Sequence, residues 1–422
     1  LSQSFEQGQK ADDGGLCMKR MGLMCAALTA LLWAVERRVI SPPGSTVVGP
    51  YSPGILAGDF LYVSGQGARN REGKFASTIE QQVTDCLENV RAIVEAAGLS
   101  MEHVVYAQLY LDNAANYEKM NQAWRKAFPK DPPARATIGV YKMPTDTPVE
   151  ISAVAVRDLK LKKVVIPPGY PSDAPISPGV LAAGRLFLSG TLGRDIQTGR
   201  IPEDPTDQVQ LALDRIKQTL NAAGMDFRHV VFMNPYLTEK IPMDVMNRVY
   251  AKHFEFGNTP ARATIRVASL PHDANIEFTG VAIQDLSKRK AVRPRNMEPS
   301  ATASPCVWAD DTLYCSAKAG FIPGPNSGIY AATIEHQVRQ TMRNLLDGLE
   351  EAGLTFDHVV ATNVYLDDLQ EFSKMNAVYA EYFPKIKPTR TTVQPLPPLA
   401  DRKPDAKGRY PKLEEISLIA VR

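Results

Sequence analysis

The sequence predicts an α+β protein of three tandem domains, each a ββαβαββ unit, and three observations carry that prediction. Pro133-Ala134-Arg135-Ala136-Thr137-Ile138 returns letter for letter as Pro260-Ala261-Arg262-Ala263-Thr264-Ile265, and with conservative changes as Pro388-Thr389-Arg390-Thr391-Thr392-Val393. The three arginines stand 127 and 128 residues apart, too far for a solenoid repeat and about one small domain. Downstream of each lies a glutamate heading an apolar run: Glu150, Glu277 and Glu415.

The elements repeat in order. A short apolar strand, Ile55-Leu56-Ala57, meets the turn Gly58-Asp59 and a second strand running from Phe60 to Gly65. The counterparts are Val180-Leu181-Ala182 with a turn at Gly184-Arg185, and Cys306-Val307-Trp308 with a turn at Asp310-Asp311. Two apolar runs flanking so short a turn read as a hairpin. Next, Ile79, Val83, Leu87, Val90 and Val94 fall at helical spacing. A capping box at Ser77 and Glu80 would open that helix and Gly98 would end it. A β-rich run (Val104 to Leu111) follows, then a second helix carrying Met120-Asn121, matched by Met246-Asn247 and Met375-Asn376. The arginine and glutamate strands close each unit, placing helices on one face of a sheet. Charged, patternless stretches at 158–163 and 287–290 read as linkers.

Composition bounds the function. Of 422 residues, 44% are apolar and 22% charged, ordinary for a globular protein. A net charge of +2 provides no electrostatic footprint for nucleic acid. Near the N-terminus, Met18-Lys19-Arg20 precedes an apolar run over 21–34 that is too short to span a bilayer. It reads as a signal-peptide-like leader, with small residues near a cleavage point at Ala30 or Ala34, as a helix packed on the domains, or as a targeting segment of another kind. With a working leader the protein would be secreted or organellar, and otherwise cytoplasmic. Residues 1–40 as a whole are expected to lack domain structure. The five cysteines form no metal-type cluster, so no metal is expected. A two-residue turn at Asp310-Asp311 would set Cys306 directly opposite Cys315, as two buried thiols or, in an oxidising compartment, a disulfide.

Four polar positions recur with stable spacing: Ser64, Ser189 and Ser316; Asn121, Asn247 and Asn376; the three arginines; the three glutamates. An arginine between small residues is a forked, permanent donor for a carboxylate. The plainer alternative is an Arg–Glu ion pair stapling adjacent strands, and for the serines a simple turn. The arginine-to-glutamate separation is 15 in the first two copies and 25 in the third, where an insertion spans about 395–412. His103, His229 and His358 recur at a helix-to-strand corner and read as structural. No histidine is placed to activate a serine.

Gly49-Pro50-Tyr51-Ser52-Pro53-Gly54, Val63-Ser64-Gly65-Gln66, Met120-Asn121, Pro133-Ala134-Arg135 and Val149-Glu150-Ile151 closely resemble the RidA/YjgF (Rid) family of enamine/imine deaminases. The resemblance covers three domains, roughly 41–158, 159–286 and 287–422. It implies a chorismate-mutase-like fold, and, because family members are homotrimers with clefts between subunits, a covalently linked pseudo-trimer. It also implies hydrolysis of 2-imino acids, arising from enamines such as 2-aminoacrylate, to 2-keto acids and ammonia, with no cofactor. On that resemblance Arg135, Arg262 and Arg390 hold the substrate carboxylate. Glu150, Glu277 and Glu415 position and polarise water with help from Thr137, Thr264 and Thr392, while Tyr51, the three serines and the three asparagines shape the clefts. The alternative is a non-catalytic carboxylate-binding or scaffold protein. The copies are unequal. Thr137 stands where several deaminating members have cysteine, Ile176 and Ala303 replace the tyrosine, and Ala317-Lys318 replaces Gly65-Gln66.

Overall fold

A computed structural model describes residues 36–45, 47–295, 297–323 and 328–422. The leader-like stretch at 18–34 lies outside them. The first unit comprises β1 (Arg38–Ile40), β2 (Gly54–Ala57), β3 (Phe60–Gly67), α1 (Ile79–Ala96), β4 (Val104–Leu111), α2 (Tyr117–Ala127), β5 (Ala134–Gly139) and β6 (Val149–Val156). The second follows with β7 (Lys162–Val165), β8 (Gly179–Ala182), β9 (Arg185–Leu192), α3 (Pro205–Ala222), β10 (Val230–Leu237), α4 (Met243–Ala251), β11 (Ala261–Arg262), β12 (Ile265–Arg266) and β13 (Ile276–Ile283). The third has β14 (Arg289–Val292), β15 (Cys306–Ala309), β16 (Thr312–Lys318), the small hairpin β17 (Phe321–Ile322) and β18 (Ile329–Tyr330), α5 (Ile334–Glu351), β19 (Val359–Leu366), α6 (Phe372–Glu381), β20 (Thr389–Val393) and β21 (Glu414–Val421).

The first sheet runs β1-β2-β3-β6-β4-β5, and the third repeats it as β14-β15-β16-β21-β19-β20. In the second, the arginine strand is split into β11 and β12, both parallel to β10. Each unit therefore opens with an edge strand that the ββαβαββ pattern lacks. Those strands lie in the segment expected to be unstructured (β1) and partly in the expected linkers (β7 and β14). Short, Lys- and Arg-rich edge strands resist pairing with other chains, and that same composition makes them look like linkers. Two smaller expectations shift as well. The turn of the second hairpin is Ala183-Gly184, with Arg185 inside β9, and the cap of α1 is Thr78, whose side chain accepts from the Gln81 amide. Cys306 and Cys315 pair directly across β15 and β16 and form a disulfide. His103, His229 and His358 each accept a backbone N–H through Nδ1, closing a one-turn helix before the third long strand.

Each sheet buries both faces. One carries its two helices, as with Val83, Leu87, Val90 and Val94 of α1 over Leu61, Leu109 and Ile151. The opposite faces of all three sheets meet in a shared core that includes Phe60, Tyr62, Phe187, Val231, Val307, Tyr314 and Val360. The three units thus close a ring about a pseudo-threefold axis. Along it, Gln108, Asn234 and Asn363, with Tyr110, Tyr236 and Tyr365, line an axial cavity. The hydroxyls of Tyr106 and Tyr236 both donate to Gln108 Oε1, at 2.9 and 3.1 Å. One backbone contact repeats at every interface: Ser177 N to Pro133 O at 3.5 Å, Ser304 N to Pro260 O at 3.1 Å and Ser52 N to Pro388 O at 3.0 Å. The last joins the third unit to the first and closes the ring.

Candidate functional site

The ring places one cleft at each interface, and each is built the same way. The arginine strand of one unit lies against the end of the second hairpin strand of the next. The serine there is a strut. Ser189 Oγ donates to Ser177 O at 2.6 Å and accepts the Arg135 backbone N–H at 2.8 Å. Ser316 does the same for Arg262 (2.6 and 2.8 Å), and Ser64 for Arg390 (2.6 and 3.0 Å). Each serine's only proton is committed to a carbonyl, so these hydroxyls fix the clefts' geometry.

The guanidinium groups rest on aromatic rings, a stacking that suits their delocalised charge. Arg135 lies 4.7 Å from the ring centre of Trp124 and 5.7 Å from that of Tyr117. Arg262 lies 5.2 Å from Tyr250, and Arg390 lies 5.0, 5.4 and 5.5 Å from Tyr379, Phe372 and Tyr51. Asparagine fixes two of the forks: Asn121 Oδ1 accepts from Arg135 at 2.7 Å, and Asn247 Oδ1 from Arg262 at 2.8 Å. Asn376 does not, and its Oδ1 is buried without a partner. Arg135 is 1% exposed and Arg390 4%, yet neither forms an ion pair with any described carboxylate. Arg135 Nε and Arg390 Nη1 lack any acceptor. Burial presses both guanidinium groups below their usual pKa. An uncompensated buried cation is costly, and here the strand-stapling ion pair is absent. The threonine two residues on repeats the pattern: Thr137, Thr264 and Thr392 all carry a buried Oγ1 without a partner.

The glutamates cross over between units. The acid acting through space on Arg135 is Glu277 of the second unit, and Glu150 of the first acts on Arg390 of the third. Glu277 Oε1 accepts the Thr137 backbone N–H at 3.3 Å. Burial pushes both carboxyls up to about 8, against the opposing pull of the nearby arginine and, for Glu277, of that amide. Both tuck over a glycine. A Cβ on Gly65 would stand 1.9 Å from Glu150 Oε1, and one on Gly190 1.8 Å from Glu277 Oε1.

The second cleft, where Arg262 meets the third unit, departs from this plan. Ala317 supplies the Cβ that Gly65 and Gly190 lack, denying Glu415 the same pose. Glu415 instead pairs with Lys412 at 2.5 Å. That lysine is delivered by the end of the long connection after β20, which Arg402 clamps to Asp367 and Glu371. The arginine strand is also broken here, at Ala263-Thr264, and no tyrosine stands at position 303.

The recurring arginines, serines, asparagines and glutamates singled out in the sequence gather at the interfaces between units, but the arginine and glutamate of one copy lie in different clefts. Sequence reasoning missed four contributors. Tyr170 acts through space on Arg135 and lines a cavity with Ser189 and Gly190 on the second unit's side of the first cleft, although Ile176 holds the expected tyrosine position. Trp124, Tyr250 and Tyr379 form the platforms, and their recurrence three residues after each asparagine was a readable signal.

A family model described as Endoribonuclease L-PSP matches residues 44–157, 170–284 and 294–398. Among similar proteins, a RutC family protein of Saccharolobus solfataricus is 37% identical over 110 residues, 26% of this chain and 87% of that protein. A 2-iminobutanoate/2-iminopropanoate deaminase of Dermatophagoides farinae is 32% identical over 123 residues, 28% of this chain and 96% of that protein. Among solved structures, the E. coli YjgF gene product matches at 29% identity and TM-score 0.28, covering 29% of this chain and 99% of its own. E. coli TdcF with bound serine matches at 30% identity and TM-score 0.27, also covering 29% of this chain and 99% of its own. Three successive matches to one domain, on a chain whose units repeat its motifs in order, place the protein in the Endoribonuclease L-PSP, or RidA/YjgF, family as a three-domain member.

Proposed function

We propose that the protein hydrolyses reactive 2-enamino and 2-imino acids of the 2-aminoacrylate type to 2-keto acids and ammonia, in the first and third clefts. The observation that carries this reading is a buried guanidinium without a carboxylate partner beside a glutamate whose carboxyl holds its proton to about pH 8. The deaminase of Dermatophagoides farinae supports the reaction class. Arg135 or Arg390 grips the substrate carboxylate with two parallel hydrogen bonds. Glu277 or Glu150, as the acid, protonates the imine nitrogen, which makes C2 electrophilic. The resulting carboxylate takes a proton from the attacking water, giving a carbinolamine. Proton return to nitrogen and loss of the hydroxyl proton expel ammonia and leave the keto acid. A group titrating near the working pH serves both proton transfers, worth about 10²–10⁴-fold, and binding supplies orientation. The second cleft fits the non-catalytic reading: it keeps Arg262 to hold a carboxylate, but its glutamate is tied to Lys412.

The test is ammonia release from freshly generated 2-aminoacrylate. Arg135→Ala combined with Arg390→Ala should abolish it, whereas Arg262→Ala should leave it nearly intact. Full turnover in the double variant would remove the arginines from the reaction.

A further inference from the structure

The first and third clefts share their arginine and glutamate but differ in the opposite wall. In the first unit, Asn89 of α1 donates to the carbonyls of Gly67 and Arg69 at 3.0 and 2.9 Å. In the third, Asn344 of α5 donates to those of Ala319 and Phe321 at 3.0 and 2.9 Å. The second unit makes the same pair of bonds with an arginine: Arg215 Nη1 reaches the carbonyls of Leu192 and Arg194 at 3.3 and 3.1 Å. One nitrogen does the work of the asparagine amide, and the rest of the fork is additional. Arg215 is half-buried, forms no ion pair among the described residues, and lines a cavity on the second unit's side of the first cleft with Tyr170, Ser189 and Gly190. Asp195, the acid that acts on it through space, already spends Oδ1 on the amides of Gln197 and Thr198. No acid lines that cavity, whereas Glu72, Asp85, Glu88 and Glu95, against the one cation Arg71, line the one beside Tyr51 on the first unit's side of the third cleft.

We propose that the first cleft selects 2-imino and 2-keto acids bearing a second carboxylate, with Arg135 holding the acid group next to the reacting carbon and Arg215 the distal one. The inference rests on the reading that Arg135 holds a carboxylate. The third cleft, with Asn89 and an acidic rim in the corresponding place, takes monocarboxylates and repels the second charge.

Calorimetry on the full chain tests this with 2-oxoglutarate and 2-oxobutyrate as probes. Arg215→Asn is the variant of choice, because Asn89 and Asn344 show that asparagine satisfies the same two carbonyls. The wild type should bind 2-oxoglutarate at one tight site per chain, and there more tightly than 2-oxobutyrate. Arg215→Asn should weaken 2-oxoglutarate by roughly 10- to 100-fold, the effect of one charge-assisted pair, and leave 2-oxobutyrate within about twofold. Equal 2-oxoglutarate binding by wild type and variant overturns the proposal while the reading of Arg135 stands. Binding of neither acid overturns both.

Discussion

The first and second clefts come from the same repeat, and where the first has Gly190 the second has Ala317. Gly190 lets the Glu277 carboxyl fold under the strand end, where burial keeps its proton on to about pH 8. Ala317 fills that space, and Glu415 turns to Lys412. The arginine survives in both. If the clefts act as proposed, the difference separates holding a carboxylate from moving a proton: the arginine stands in both clefts, and the glycine beneath the glutamate only in the first.

The comparison can be broken most severely at the glutamates. Glu150→Gln with Glu277→Gln should lower kcat by about 10²–10⁴-fold with KM little changed, whereas Glu415→Gln should leave kcat where it was. Steady-state ammonia release distinguishes the two. The pH profile comes next. With the acid form required, kcat/KM should be flat below about pH 8 and fall about tenfold per unit above it, as Glu150 and Glu277 ionise. Stability should move the same way. The folded protein holds these protons to about pH 8, beyond the ordinary carboxylic range, so their contribution is full in acid and lost as pH rises to about 8. A falling Tm over that window, flattened in the double Gln variant, is the expected result.

Gly65→Ala or Gly190→Ala alone should silence one of two working clefts and halve turnover, roughly a twofold effect; together they should abolish it. Smallest is the reverse exchange. Ala317→Gly with Lys412→Ala should free Glu415 and raise turnover per chain by at most about half, one cleft added to two. No gain at all would show that the tyrosine missing at position 303 is also required.

Much of this was legible in the chain because polar residues kept at one spacing in three copies act as an internal comparison. The arginines, asparagines, serines and glutamates stood out that way, and their strands and helices followed from apolar periodicity. The pairing of Arg135 with Glu277, rather than Glu150, was not legible, because it depends on which units touch. Nor was Tyr170, which reaches the cleft from a different point on the loop than Tyr51 does. The edge strands hid in charged segments because their stability comes from neighbours rather than from their own propensity. Lys412 looked like part of an insertion until its contact with Glu415 was seen.

The backbone bond from Ser52 to Pro388 seals the ring within a single polypeptide. In an assembly of identical subunits, any substitution is copied to every interface at once, so a change useful at one site must be tolerable at all of them. Here Arg215, Ala317 and the Tyr106, Phe232 and Ala361 set at the axis each occur once. Joined in one chain, the three interfaces can change residue by residue without one another, and their side chains have already diverged.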